Sequence, residues 1–174
     1  NRLGVAQART EFDAFQHLLS GSPAPVGQIV DRLIDGPGGR MRARVYRPTD
    51  TVARLLPVIL YFHGGGWNKG TAEQSLGFLK RFRDAGFVCA SVDYRCRDTH
   101  GGTTPMDATR DARSALRAFV ARARELGFDS NKLVVAGGSA GGHLACMTAL
   151  GDGLGEPAEE KSPAPRVRAT TSPS

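Results

Sequence analysis

Gly137-Gly138-Ser139-Ala140-Gly141 places a serine between glycines two residues away on either side, directly after the apolar run Leu133-Val134-Val135-Ala136. A G-x-S-x-G at a strand-to-helix turn forces the serine into a strained backbone conformation, and the small flanking residues keep Cβ atoms from colliding in the bend. Ser139 Oγ then projects from the carboxyl end of a sheet, beside the N-terminus of the next helix. There the helix dipole and the free amide of Ala140 favour developing negative charge. The chemistry that fits is acyl transfer with Ser139 as nucleophile.

His63-Gly64-Gly65-Gly66-Trp67 follows a second apolar run, Pro57 to Phe62. Successive glycines expose backbone N–H groups to a substrate carbonyl, so Gly65 and Gly66 together with Ala140 can form an oxyanion hole. Losing one donor of such a hole typically costs about 100- to 1000-fold in turnover. Trp67 either lines an acyl or alcohol pocket or packs the loop onto the domain. His63 belongs to the loop motif and is expected to anchor it rather than transfer protons. His143 lies four residues past Ser139 on the same expected helix and is not the base. Asp93 and Arg95 read as a charged, loop-fixing pair at a strand end, and His17 and His100 as surface or core residues.

The elements that must position these residues follow from patterning. Gln28 to Ile34 and Met41 to Tyr46 are β-prone runs joined by the turn sequence Asp35-Gly36-Pro37-Gly38-Gly39. Apolar strands and amphipathic helices then alternate: Pro57 to Phe62, Glu73 to Ala85, Phe87 to Tyr94, Met106 to Leu126, Lys132 to Ala136, and a helix from Ala140 to about Leu150. Such alternation implies crossover connections and a parallel sheet. Ala112, Ala115, Leu116, Phe119, Val120 and Ala123 recur at helical spacing and mark a core face. The continuously apolar strands suit burial under helices on both faces. Residues 1–26 read as an N-terminal helical cap, 27–150 as the core, and 151–174, rich in Gly and Pro, as an irregular tail.

These residues resemble the α/β-hydrolases of the hormone-sensitive-lipase type, and within them bacterial esterases similar to the bifunctional feruloyl and acetyl esterases. The resemblance spans roughly Asp35 to Leu150. It is carried by Gly36-Pro37-Gly38-Gly39, Val45-Tyr46-Arg47-Pro48, His63 to Trp67, Val92-Asp93-Tyr94-Arg95, His100 to Pro105, Leu126-Gly127-Phe128-Asp129 and Gly137 to Ala145. It implies an α/β-hydrolase fold, with a mostly parallel sheet flanked by helices. It also implies Ser139 as the acyl-forming nucleophile, Gly65, Gly66 and Ala140 as the oxyanion hole, and no cofactor or metal. Gly138 stands where lipase-type relatives have Asp or Glu. In the family the acid and the base follow the serine on loops after two later strands. The C-terminal strands and both partners are therefore expected beyond the end of this chain, which by itself is expected to be inactive.

Composition narrows the partners. Lys plus Arg outnumber Asp plus Glu by 23 to 17, for a formal charge of +6. The charges are scattered, and Arg110, Arg113 and Arg117 read as a solvated helix face, without the aromatic interleaving of a nucleic-acid surface. No apolar stretch suits a signal peptide or membrane span. Three cysteines without metal-ligand spacing argue against a disulfide framework, Cys89 and Cys146 reading as small buried hydrophobes. The expected partner is a small-molecule ester, an acetyl or feruloyl group on a carbohydrate being the subgroup's implication. The alternatives are a non-catalytic scaffold that binds ligand without turnover, and a peptidase of the same fold.

Overall fold

The computed structural model describes residues 27–49 and 55–150. The expected N-terminal cap, the tail and His17 lie outside them. A five-stranded sheet runs in the order β1-β2-β4-β3-β5. Strands β1 (Gln28–Gly36) and β2 (Gly39–Arg47) form an antiparallel hairpin, and β2 runs antiparallel to β4 (Val88–Val92). Strands β4, β3 (Leu56–Phe62) and β5 (Phe128–Gly137) are mutually parallel. The helical elements are a 3₁₀ turn (Ala72–Ser75), α1 (Leu76–Asp84), α2 (Arg97–His100), α3 (Pro105–Ala121) and α4 (Ala140–Leu150).

Strand periodicity sorts the core into two layers. Val58, Leu60 and Phe62 of β3, with Val88, Ala90 and Val92 of β4, face the cluster that includes Ala112, Ala115, Leu116 and Phe119 of α3 and Leu144 of α4. Ile59 and Cys89 point the other way, toward Leu79 of α1. On that second face the buried hydroxyls of Ser75 and Ser91 pair at 2.8 Å, which satisfies both away from water.

The largest differences from the sequence reading are in three elements. Regular α-helix in α3 stops at Ala121 rather than Leu126, because the Arg122 N–H is shared among the carbonyls of Ala118, Phe119 and Val120 and the chain tightens into turns. Those turns end where Gly127 adopts φ +73° and the Phe128 N–H donates back to Ala123 O at 3.0 Å, a Schellman closure. Strand β5 begins at Phe128, four residues early, because Leu56 pairs with Phe128 and Val58 with Leu133. The polar Asp129-Ser130-Asn131-Lys132 bulges out between those pairs. The expected helix at 73–85 divides into the 3₁₀ turn and α1.

Two side-chain readings are also corrected. Arg113 is buried, and its guanidinium donates to Met147 O, while Arg117 donates to Ser114 Oγ. Arg113 therefore packs toward α4 instead of joining a solvated face, its long stem covering apolar surface, whereas Arg110 and Arg117 stay half-exposed and bond within α3. Cys89 and Cys96 are buried, but Cys146 is exposed, because apolar residues stand on every side of α4 and only one side meets the sheet.

Phe119 is fully buried and stacks on Phe128 at 6.2 Å, so it joins α3 to the start of β5. Phe119→Ala is expected to cost about 3–5 kcal/mol of folding free energy, read as a lower midpoint in urea denaturation.

Candidate active site

Because β3 and β5 are neighbouring parallel strands, their carboxyl ends emerge at the same edge of the sheet, and the glycine loop and the serine turn emerge with them. Phe62, the last residue of β3, is in register with Gly137, the last of β5. Ser139 sits between β5 and α4 at φ +52°, in the left-handed region that non-glycine residues rarely enter. The turn is closed by Gly141 N–H donating to Gly138 O at 2.8 Å. Its glycines are sterically required. A Cβ on Gly137 would overlap the Gly141 backbone, and one on Gly141 would overlap Phe62 O.

The glycine loop packs on this turn. A Cβ on Gly64 would lie 3.1 Å from Gly138 O and 3.6 Å from Ser139 Cβ, so the two motifs are in contact. Gly65 has φ +122°, and its carbonyl accepts from the N–H groups of Asn68 and Lys69 at 3.1 and 3.2 Å. Among the described residues, the N–H groups of Gly65 and Gly66 donate to no backbone carbonyl. Ala140 opens α4, so its N–H has no acceptor within the helix. Donors of this kind can stabilise an oxyanion beside a nucleophile.

His63 anchors the loop. The ring is 1% exposed, stacks on Tyr94 at 4.3 Å, and donates from Nδ1 to Gly64 O at 2.8 Å. Burial lowers its pKa, which favours the neutral ring. Trp67, at φ +60°, lies half-buried against the core and meets His143 edge-on at 5.4 Å. Its carbonyl accepts from Arg97 N–H at 3.0 Å, and Asn68 O accepts from Asp98 N–H at 2.8 Å, which ties the loop to α2. No described histidine is bonded to Ser139 through its ring. His63 is committed to Gly64 O, His100 Nδ1 pairs with Thr99 Oγ1, and His143 is exposed against Trp67.

Asp93 and Arg95 do fix loops, but not by pairing with each other. Asp93 Oδ1 accepts from Ala72 N–H at 2.6 Å, where the glycine loop enters the 3₁₀ turn, and Asp93 Oδ2 accepts from Arg42 Nε at 2.7 Å. Arg42 also forks onto Glu73 at 2.7 and 2.9 Å. Arg95 grips the fully buried carboxylate of Asp111 on α3 through both its guanidinium and its own N–H. Arg42, Glu73 and Asp111 carry no signal in the sequence, because each partner lies on a different element.

Comparisons with known proteins place the chain among relatives of similar sequence and fold. The BD-FAE family model matches residues 44–168. Esterase LipI of Mycobacterium tuberculosis is 37% identical over 127 residues, which cover 72% of this chain and 39% of that protein. Ethyl acetate hydrolase of Pseudomonas putida is 33% identical over 150 residues, covering 84% of this chain and 46% of that one. The apo form of Thermogutta terrifontis esterase 2 superposes with a TM-score of 0.73 at 31% identity, covering 84% of this chain and 55% of the other. A Pyrobaculum calidifontis esterase gives 0.67 at 37%, with 85% and 48% covered. The chain thus spans about half the length of these relatives or somewhat less.

Gly141→Ala is expected to destabilise the fold by about 3 kcal/mol, the upper end of ordinary overpacking, because the new methyl meets backbone that cannot yield; urea denaturation checks it. A second expectation concerns pH. Hydrogen bonds from Arg42, the largest cause, hold the Glu73 carboxyl at about 2 against 4.5. A carboxylate depressed in the folded state stabilises it above the unfolded pKa and ceases to do so as pH falls through the folded one. The stability difference between wild type and Glu73→Gln should therefore be full above 4.5 and vanish toward about 2, measured by urea titrations at stepped pH.

Proposed function

Because the chain belongs to the BD-FAE family, α/β-hydrolases of the hormone-sensitive-lipase type, we propose that the protein is a serine-dependent carboxylic ester hydrolase acting through an acyl-enzyme on Ser139. The contact of Gly64 with the serine turn, with Gly65 and Gly66 next in the chain and donating to no backbone carbonyl among the described residues, supports this reading. Ser139 Oγ attacks the ester carbonyl while a histidine accepts its proton, and the N–H groups of Gly65, Gly66 and Ala140 take the oxyanion. Collapse of the tetrahedral intermediate expels the alcohol, which receives that proton. Water then attacks the acyl-serine by the same route and releases the acid.

The histidine and its Asp or Glu partner are assigned to chain outside the described residues, since His63, His100 and His143 are all held elsewhere. No metal or organic cofactor enters this scheme. The substrate is a short-chain carboxylic ester, with an acetyl or feruloyl group on a carbohydrate as the specific class, and Trp67 borders the site that would receive it. That Thermogutta terrifontis esterase 2 is phosphorylated by paraoxon makes an organophosphorus probe the natural test.

The full gene product is expected to hydrolyse p-nitrophenyl acetate and to take a fluorophosphonate label at Ser139, mapped by mass spectrometry. Ser139→Ala should lower kcat by at least about 10⁴-fold. Unchanged turnover in that variant, or no label in the folded wild type, would favour a scaffold that binds ligand without turnover.

A further inference from the structure

Tyr94 follows β4, and its ring is 2% exposed within the core layer that holds Phe62, Phe119 and Phe128. Those neighbours fill comparable space without a polar atom, so packing alone does not call for a hydroxyl at this position. The hydroxyl donates to the carbonyl of His63 at 2.7 Å. Burial raises the Tyr94 pKa, which keeps the group a donor throughout the physiological range.

The position of that carbonyl gives the bond its consequence. His63 O belongs to the first peptide beyond β3, from which Gly64, Gly65 and Gly66 continue. A Cβ on Gly141 would come within 2.6 Å of the same oxygen, so His63 O lies between the Tyr94 hydroxyl and the serine turn. The Tyr94 ring also stacks on the His63 imidazole, with 15° between planes, and that imidazole donates to Gly64 O. Tyr94 thus fixes both the carbonyl and the side chain of the residue that begins the glycine loop.

Tyr94 is itself held from both sides. Asp93 is bound to Arg42 and to Ala72 N–H, and Arg95 is clamped to the buried Asp111. These bonds leave the 93–95 segment little freedom to follow the loop, so the hydroxyl is a fixed reference.

We propose that Tyr94 is a positioning residue for hydrolysis at Ser139, its hydroxyl setting the His63–Gly64 peptide and through it the placement of the Gly65 and Gly66 amides against the serine. This rests on the reading of Ser139 as nucleophile. The effect belongs to the transition state, because the oxyanion forms only there, so kcat and kcat/KM fall together while KM holds.

The test is Tyr94→Phe in the full gene product, with kcat expressed per serine titrated by fluorophosphonate. A fall of about tenfold in kcat, with KM unchanged, is expected from losing one charge-free hydrogen bond that orients the donors. Phe119→Leu, in the same core layer but remote from His63, serves as control: it should lower the melting temperature yet keep kcat per titrated serine. Hydrogen exchange read by mass spectrometry should rise across 63–70 in Tyr94→Phe and remain unchanged across α3. Unaltered kcat per titrated serine in Tyr94→Phe overturns the positioning role and leaves Ser139 chemistry intact. If wild type neither hydrolyses ester nor labels, the reading of Ser139 fails, and unchanged exchange across 63–70 would then overturn the positioning role independently.

Discussion

Glycine Cα atoms against backbone carbonyls hold the two halves of the candidate site together. Gly141, in the first turn of α4, touches the carbonyls of Phe62 and His63 at the end of β3, and a single methyl group at that point would force them apart. This contact is possible only because β3 and β5 are adjacent and parallel, so that both chains leave the sheet at one edge. Ser139, in the turn just before that contact, has a left-handed backbone. Such a conformation costs of the order of 1–3 kcal/mol and persists only where its surroundings over-determine it.

Around that contact the structure builds in graded polarity. The immediate neighbours are backbone amides and carbonyls, which carry direction without formal charge and need no large side chain. Behind them stand neutral, buried donors, the His63 ring and the Tyr94 hydroxyl. Ionised groups come last: Arg42 with Asp93 and Glu73, and Arg95 with Asp111. The Arg42 pairs are part-exposed, so their direct effect on stability is modest. Their geometric effect is larger, since Asp93 receives the N–H of Ala72 and so determines where the glycine loop rejoins regular structure.

Much of this was legible in the chain. The hairpin turn, the alternation of strand and helix, the extent of α4 and the core face of α3 all follow from periodicities imposed by backbone geometry, which act over a few residues and are therefore written locally. The serine turn and glycine loop were legible for the same reason: their steric demands exclude side chains at Gly65, Gly137 and Gly141, and an excluded side chain is visible as glycine. The identity of the family follows from those motifs and their order.

Tertiary structure alone decided the partners. Tyr94 reads in sequence as one more aromatic residue after an apolar strand, and only the parallel pairing of β3 with β4 brings its hydroxyl to His63 O. Arg113 was expected in solvent and is buried against α4, because a charge pattern on one helix does not reveal which helix will pack there. Cys146 was expected inside and is exposed, since a helix with apolar residues on every side gives little sign of which side it will bury. Local steric and periodic constraints are encoded residue by residue, whereas a hydrogen bond between residues 31 positions apart, as from Tyr94 to His63, exists only once the sheet has assembled around it.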